Sequence, residues 1–393
     1  MSYSVKLNDK GVIAVDDTIL IKDSVTAAGS KILEGFKSLF TAEAVERLER
    51  NGFSVSGKTH VGEFGLDLAG EFSYYAPQSG KISGAAASLV AAGEVKAALG
   101  VDMNGAPRRA AALSGVCFIK PTYGTVSRYG IISCAASGEQ LGVYAKNADT
   151  AAEILGVIAG HDDKDGTSLP EKSYEYSTAA DCKGKKVAIV KELLEKADAD
   201  IQAEVKAFAA SLAAAGVEVE EVSLDIFDYA NTAWQILMCA ETCNNVSRYD
   251  GVKFGYRTES YRTIDDLYTN TRTEGFNFLT KAVILYGSEV LSKSRYKDCY
   301  DKSLRVRRII ADKLNEIFGK YAAILTPVCS KGAFESYDIA EAFEKVFKES
   351  VFTCAANLTG VPALSCGGVQ LTGAAFSESA LLSLAKIAEG KGE

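Results

Sequence analysis

Between Ser79 and Gly130 the chain gathers the groups best suited to chemistry. Gly80, Gly84, Gly93, Gly100, Gly105, Gly115 and Gly124 punctuate runs of alanine and serine, a composition that lets backbones approach closely and brings main-chain N–H groups into a shared space. The amides of Asn104, Gly105 and Ala106 can converge on one point, and convergent amides stabilise the negative charge that develops in acyl transfer. A Ser/Gly entry into residues 83–99 predicts a helix whose positive N-terminal end faces the same region. Small residues in this pattern also serve plain helix packing, so composition alone leaves both readings open.

Such groups need a frame. Residues 13–21 alternate loosely and predict a strand that delivers Lys22 at its end, where the ordinary reading is a solvated terminus. Residues 42–51 have helical spacing, with Gly52 as a stop and a strand over 53–56 beyond it, half of a parallel crossover. A helix over 150–160 follows, and residues 186–191, 200–215 and 217–222 read as strand, helix and strand. Helices are predicted over 228–245 and 305–318, buried strands over 322–326 and 362–366, and an amphipathic helix over 377–388. No linker, repeat or low-complexity segment interrupts the pattern, so one domain over 1–393 is expected.

Composition narrows the function. With 393 residues, 47% of them apolar, the chain can bury a large core. Lys and Arg total 43 against 51 Asp and Glu, a net charge of −8 with no basic stripe, so direct nucleic-acid binding is not expected. No run of apolar residues is long enough to span a membrane, and MSYSVKLNDKG lacks a signal-peptide core; a cytoplasmic protein without membrane contact is the expectation. The nine cysteines are scattered and read as reduced core residues. Cys239 and Cys243 have metal-like spacing on a helix, but neither His60 nor His161 is near them, and no metal or cofactor is expected. The acidic loop 161–166 lacks the spacing of a calcium loop and reads as a solvated turn.

The run ALGVDMNGAPRRAAALSGVCFIKPTYGTVSRYGIISCAASGEQLG, ending at Gly142, resembles the core of the amidase signature family, and more narrowly the A-type, ammonia-releasing subunits of tRNA-dependent amidotransferases. Ile21-Lys22-Asp23, Gly57-Lys58-Thr59, Ile324-Leu-Thr-Pro327 and Asn357-Leu-Thr-Gly-Val-Pro362 extend the likeness across nearly the whole chain. The resemblance implies an α/β fold with a central mixed, twisted β-sheet covered by helices on both faces, here without the helical segment usual at the N-terminus. It also implies other amidotransferase subunits as partners, through which any link to tRNA would run.

Members of that family use a nucleophilic serine, a second serine held by a cis peptide bond and a neutral lysine that draws a proton through it. By resemblance Lys22 matches the lysine. The nucleophile of the Gly-Gly-Ser-Ile-Arg pattern falls on Ala106, and the bridging serine on Ile82, with Ser83 beside it as a candidate replacement. Met103, Asn104 and Gly105 match the oxyanion loop. The Arg-Arg pair that helps hold glutamine falls on Ala282 and Val283, and the glutamine-binding aspartate on Ser350. A methyl group cannot attack a carbonyl. The resemblance therefore implies a protein that keeps the fold, has lost amide hydrolysis and acts by binding; an active amidase or glutaminase is the alternative.

Overall fold

Short apolar segments that alternate between two faces build the centre of the molecule. The computed structural model describes residues 2–390. Its strands are β1 (Tyr3–Lys6), β2 (Ile13–Asp16), β3 (Val55–Thr59), β4 (Ala97–Asp102), β5 (Cys117–Lys120) and β6 (Gln140–Ala145). Beyond them come β7 (Lys186–Val190), β8 (Glu218–Val222), β9 (Ala323–Pro327), β10 (Ala363–Cys366) and β11 (Val369–Thr372). All eleven join one sheet in the order β1-β3-β2-β4-β6-β5-β10-β11-β9-β7-β8.

The sheet is mixed. β2 pairs in parallel with β3 and β4, and β7 with β8 and β9. From β4 through β6, β5, β10 and β11 to β9 every pairing is antiparallel. The helix Glu43–Arg50 makes the β2-to-β3 crossover, and Ala199–Ala214 the crossover from β7 to β8. Side-chain alternation splits the core in two: Ile13, Val15, Ala97, Leu99, Leu141 and Val143 pack on one face, and Ala14, Ala98, Phe118 and Tyr144 on the other.

Two predicted elements change length. The expected strand 13–21 ends at Asp16, because the Asp16 carbonyl accepts the Ile19 N–H at 2.9 Å and turns the chain. The expected helix 83–99 is only Ala85–Ala91; Gly93 turns it, and Ala97–Asp102 becomes strand β4 because it lies between two strands, where pairing overrides alanine's helical preference. The cysteine expectation is also corrected. Cys117 and Cys366 face each other in register on β5 and β10 and form a disulfide, while the other seven cysteines are free. Cys239 and Cys243 gather no third metal-binding side chain among the described residues. No helix among them is long and apolar enough to cross a membrane.

Candidate functional site

Two-residue periodicity places Asp16, Gly100, Asp102, Phe118, Lys120 and Tyr144, from β2, β4, β5 and β6, on one face of the sheet, with Asp16, Asp102 and Lys120 at the strand ends. Gly100 is required there: a Cβ on it would lie 2.9 Å from Asp16 Oδ2 and 2.7 Å from the Tyr144 ring. After β4 the chain turns through Gly105 into the helix Ala106–Leu113. Gly105 has φ +90°, and a Cβ would meet Thr353 at 2.3 Å, so only glycine brings the helix start this close. Between these parts lies a cavity of about 30 Å³, lined by Asp16, His60, Asp67, Gly84, Ala106 and Tyr144. It has space for one or two waters and none for an amino-acid amide.

Lys22 is not part of it. The strand delivers Asp16 to the cavity, and Lys22 lies six residues later on the exposed turn, its N–H donated to Thr41 Oγ1 at 3.0 Å. Asp16 is thus the residue that reasoning from the sequence missed. Its signal was the pair Asp16-Asp17 closing an apolar strand. Ile82 is wholly buried in the core and held by a bond from its N–H to the Phe334 carbonyl at 2.9 Å; it does not line the cavity. Among the described residues all peptide bonds are trans. Ser83 accepts a hydrogen bond from Ser88 Oγ at 3.1 Å and lines a neighbouring cleft with His60, outside the Ala106 cavity.

The expected oxyanion loop folds onto itself. Gly105 N–H donates to Asp102 Oδ1 at 2.9 Å and Ala106 N–H to Asn104 Oδ1 at 3.0 Å, so both amides are spent on local side chains. Asn104 Nδ2 donates to the Leu66 carbonyl, and Met103 is buried in the core. The positions matched to glutamine-holding charges are closed as well. Val283 packs in the core beside the half-buried Ala282, and Ser350 Oγ donates back to the Val346 carbonyl at 2.7 Å.

Electrostatics sort the buried groups into one satisfied network and one set of uncompensated acids. Arg108 donates to Asp102 through Nε at 2.7 Å and Nη2 at 3.2 Å, to Asn357 at 2.5 Å, and through Nη1 to Gln370 at 2.6 Å and the Thr353 carbonyl at 3.0 Å. Burial would raise the Asp102 carboxyl, but the Arg108 charge and hydrogen bonds, with Asn357, hold it below the usual range. Lys120, buried nearby, is pushed down to about 7 by desolvation. Asp17 pairs with the buried Lys58 at 2.9 Å. Asp16 has no such partner among the described residues. Burial pushes its carboxyl up to about 7, against hydrogen bonds from Thr59 and the Val101 backbone. Asp67 is raised well above its usual range by burial and by neighbouring Glu71, and burial lowers His60. The cavity therefore favours uncharged groups and carries no nucleophile at the helix start.

The Amidase family model matches residues 11–382. The A-type subunit of glutamyl-tRNA(Gln) amidotransferase from Lachnoclostridium phytofermentans is 37% identical, with 94% of this chain and 81% of that protein covered. The protein of the same name from Halothermothrix orenii is 36% identical over 95% of this chain and 83% of its own length. A crystal structure of the Thermotoga maritima protein of that name superposes with a TM-score of 0.82 at 30% identity, covering 99% of this chain and 87% of that one. The fold is also that of a peptide amidase from Stenotrophomonas maltophilia, with a TM-score of 0.77 at 23% identity over 96% of this chain and 82% of that one.

Proposed function

The chain belongs to the amidase family, and from that premise we propose that it has lost amide hydrolysis and works by binding, as a structural or regulatory partner of other amidotransferase subunits. One observation carries this reading: the helix start that faces the cavity presents the methyl of Ala106, and the strand end opposite presents Asp16. Acyl transfer needs a lone pair on a nucleophile beside a base and free donors for the oxyanion. Here the nucleophile is missing and the Gly105 and Ala106 amides are already bonded. Losing a triad nucleophile alone costs about six orders of magnitude in turnover.

A second reading, an active amidase or glutaminase that supplies ammonia for converting Glu-tRNA(Gln) to Gln-tRNA(Gln), is favoured by the names of relatives at 36–37% identity. Ammonia release from glutamine and from simple amides separates the two. The expected result is a rate equal to that without protein. Turnover that follows the protein through purification overturns the proposal, and its loss in Ser83→Ala would identify the replacement nucleophile.

A further inference from the structure

The old site is nearly full, but the molecule has a larger cleft about the loop that follows β9. This cleft holds about 430 Å³, within the range of small-molecule sites, against about 30 Å³ beside Ala106. Its walls are fixed by main-chain bonds: Ile82 N–H donates to the Phe334 carbonyl at 2.9 Å and Ser336 N–H to the Gly80 carbonyl at 2.7 Å. Glu349 anchors the loop by accepting from Ser330 N–H at 2.8 Å and Ser330 Oγ at 2.6 Å. Both of its oxygens are thereby engaged. Leu68, Ala333 and Phe334 give the cleft an apolar side.

Its charge is opposite in sign to that of the chain. Lys331, Lys345 and Lys348 line it, in a protein of net charge −8. Lys345 is committed, pairing with Glu341 at 3.0 Å and lying 4.3 Å over the Tyr337 ring. Lys331 and Lys348 are exposed and have no ion-pair partner among the described residues. Glu335 and Glu349, whose Ser330 donors are uncharged, are the carboxylates of the lining, so its three lysines leave a surplus of one cation.

We infer that this cleft binds a small organic anion, its apolar body against Leu68 and Phe334 and its carboxylate or phosphate between Lys331 and Lys348. The inference rests on reading the chain as a binding protein and gives that reading a site. Charge-assisted hydrogen bonds hold the head group, and a rigid wall means little ordering on binding.

Titration calorimetry with sodium adipate, phenyl phosphate and uncharged adipamide tests it. The first two, or either one, bind, and adipamide does not; a preference for adipate assigns a carboxylate head group and the reverse a phosphate. Lys331→Glu with Lys348→Glu weakens binding at least about tenfold, since each charged hydrogen bond is worth roughly that factor. Glu335→Gln strengthens it. Ala333→Trp, which fills the cleft from an exposed position, abolishes it. No binding of either anion, equal binding of adipamide, or wild-type affinity in the double lysine variant overturns the inference. Ammonia release measured on the same preparations keeps the two readings apart: hydrolysis with anion binding removes only the loss of catalysis, and neither activity removes only the cleft.

Discussion

Asp16 sits in a place where a carboxylate is costly. It is buried, its neighbour Asp17 has taken the Lys58 ammonium, and its carboxyl is raised to about 7 from 3.8. A carboxyl raised on folding stabilises the fold fully below its unfolded value and loses that contribution as pH rises through its folded value. Wild type is therefore predicted to lose up to about 4 kcal/mol relative to Asp16→Asn as pH rises from about 4 to 8, at 1.36 kcal/mol per unit. Urea unfolding of both proteins across that range measures it, and parallel curves would refute it. The same residue limits repair. Asp16→Lys with Ile82→Ser and Ala106→Ser is predicted to stay inactive in ammonia release, because Ile82 points into core packing and the cavity of about 30 Å³ admits no amide. Turnover restored by these three changes would show that side-chain identity alone had been lost.

Strands β2 and β4 and the helix Ala106–Leu113 converge because of backbone choices that only small residues permit. At Gly105, φ +90° combines with a Cβ position 2.3 Å from Thr353. Gly105→Ala is predicted to destabilise the protein by roughly 2–4 kcal/mol, read from its urea midpoint, since the helix must move away from Thr353 or adopt a strained turn. A change below about 0.5 kcal/mol would mean that the loop is loose. Much of this layout was legible in advance. The crossover through Glu43–Arg50, the segments β7, Ala199–Ala214 and β8, and the terminal helix Glu378–Glu389 follow their apolar spacing closely. What could not be read was where a strand ends. Residues 13–21 continue an apolar pattern past Asp16, but a turn bond from Ile19 stops the strand there, so Asp16 borders the cavity and Lys22 lies beyond the turn. The disulfide was hidden for a similar reason: Cys117 and Cys366 are 249 residues apart, and only strand pairing makes them neighbours.

At the scale of the whole molecule, the sheet is that of the amidase family, and beside its cavity the Gly105 and Ala106 amides are bonded to local side chains. The Arg108, Asp102 and Asn357 network ties β4 to the helices Ala106–Leu113 and Cys354–Thr359, a hold on the fold that does not depend on catalysis. The larger open volume, about 430 Å³ against about 30 Å³ beside Ala106, lies in the lysine-lined cleft after β9. The central claim is that no activated serine remains beside Ala106. Its most direct measurement is the intact mass of the protein after incubation with a fluorophosphonate, which bonds to activated serine hydroxyls. The account predicts an unchanged mass. A stoichiometric adduct on Ser83, in the neighbouring cleft, or on any other serine would contradict it.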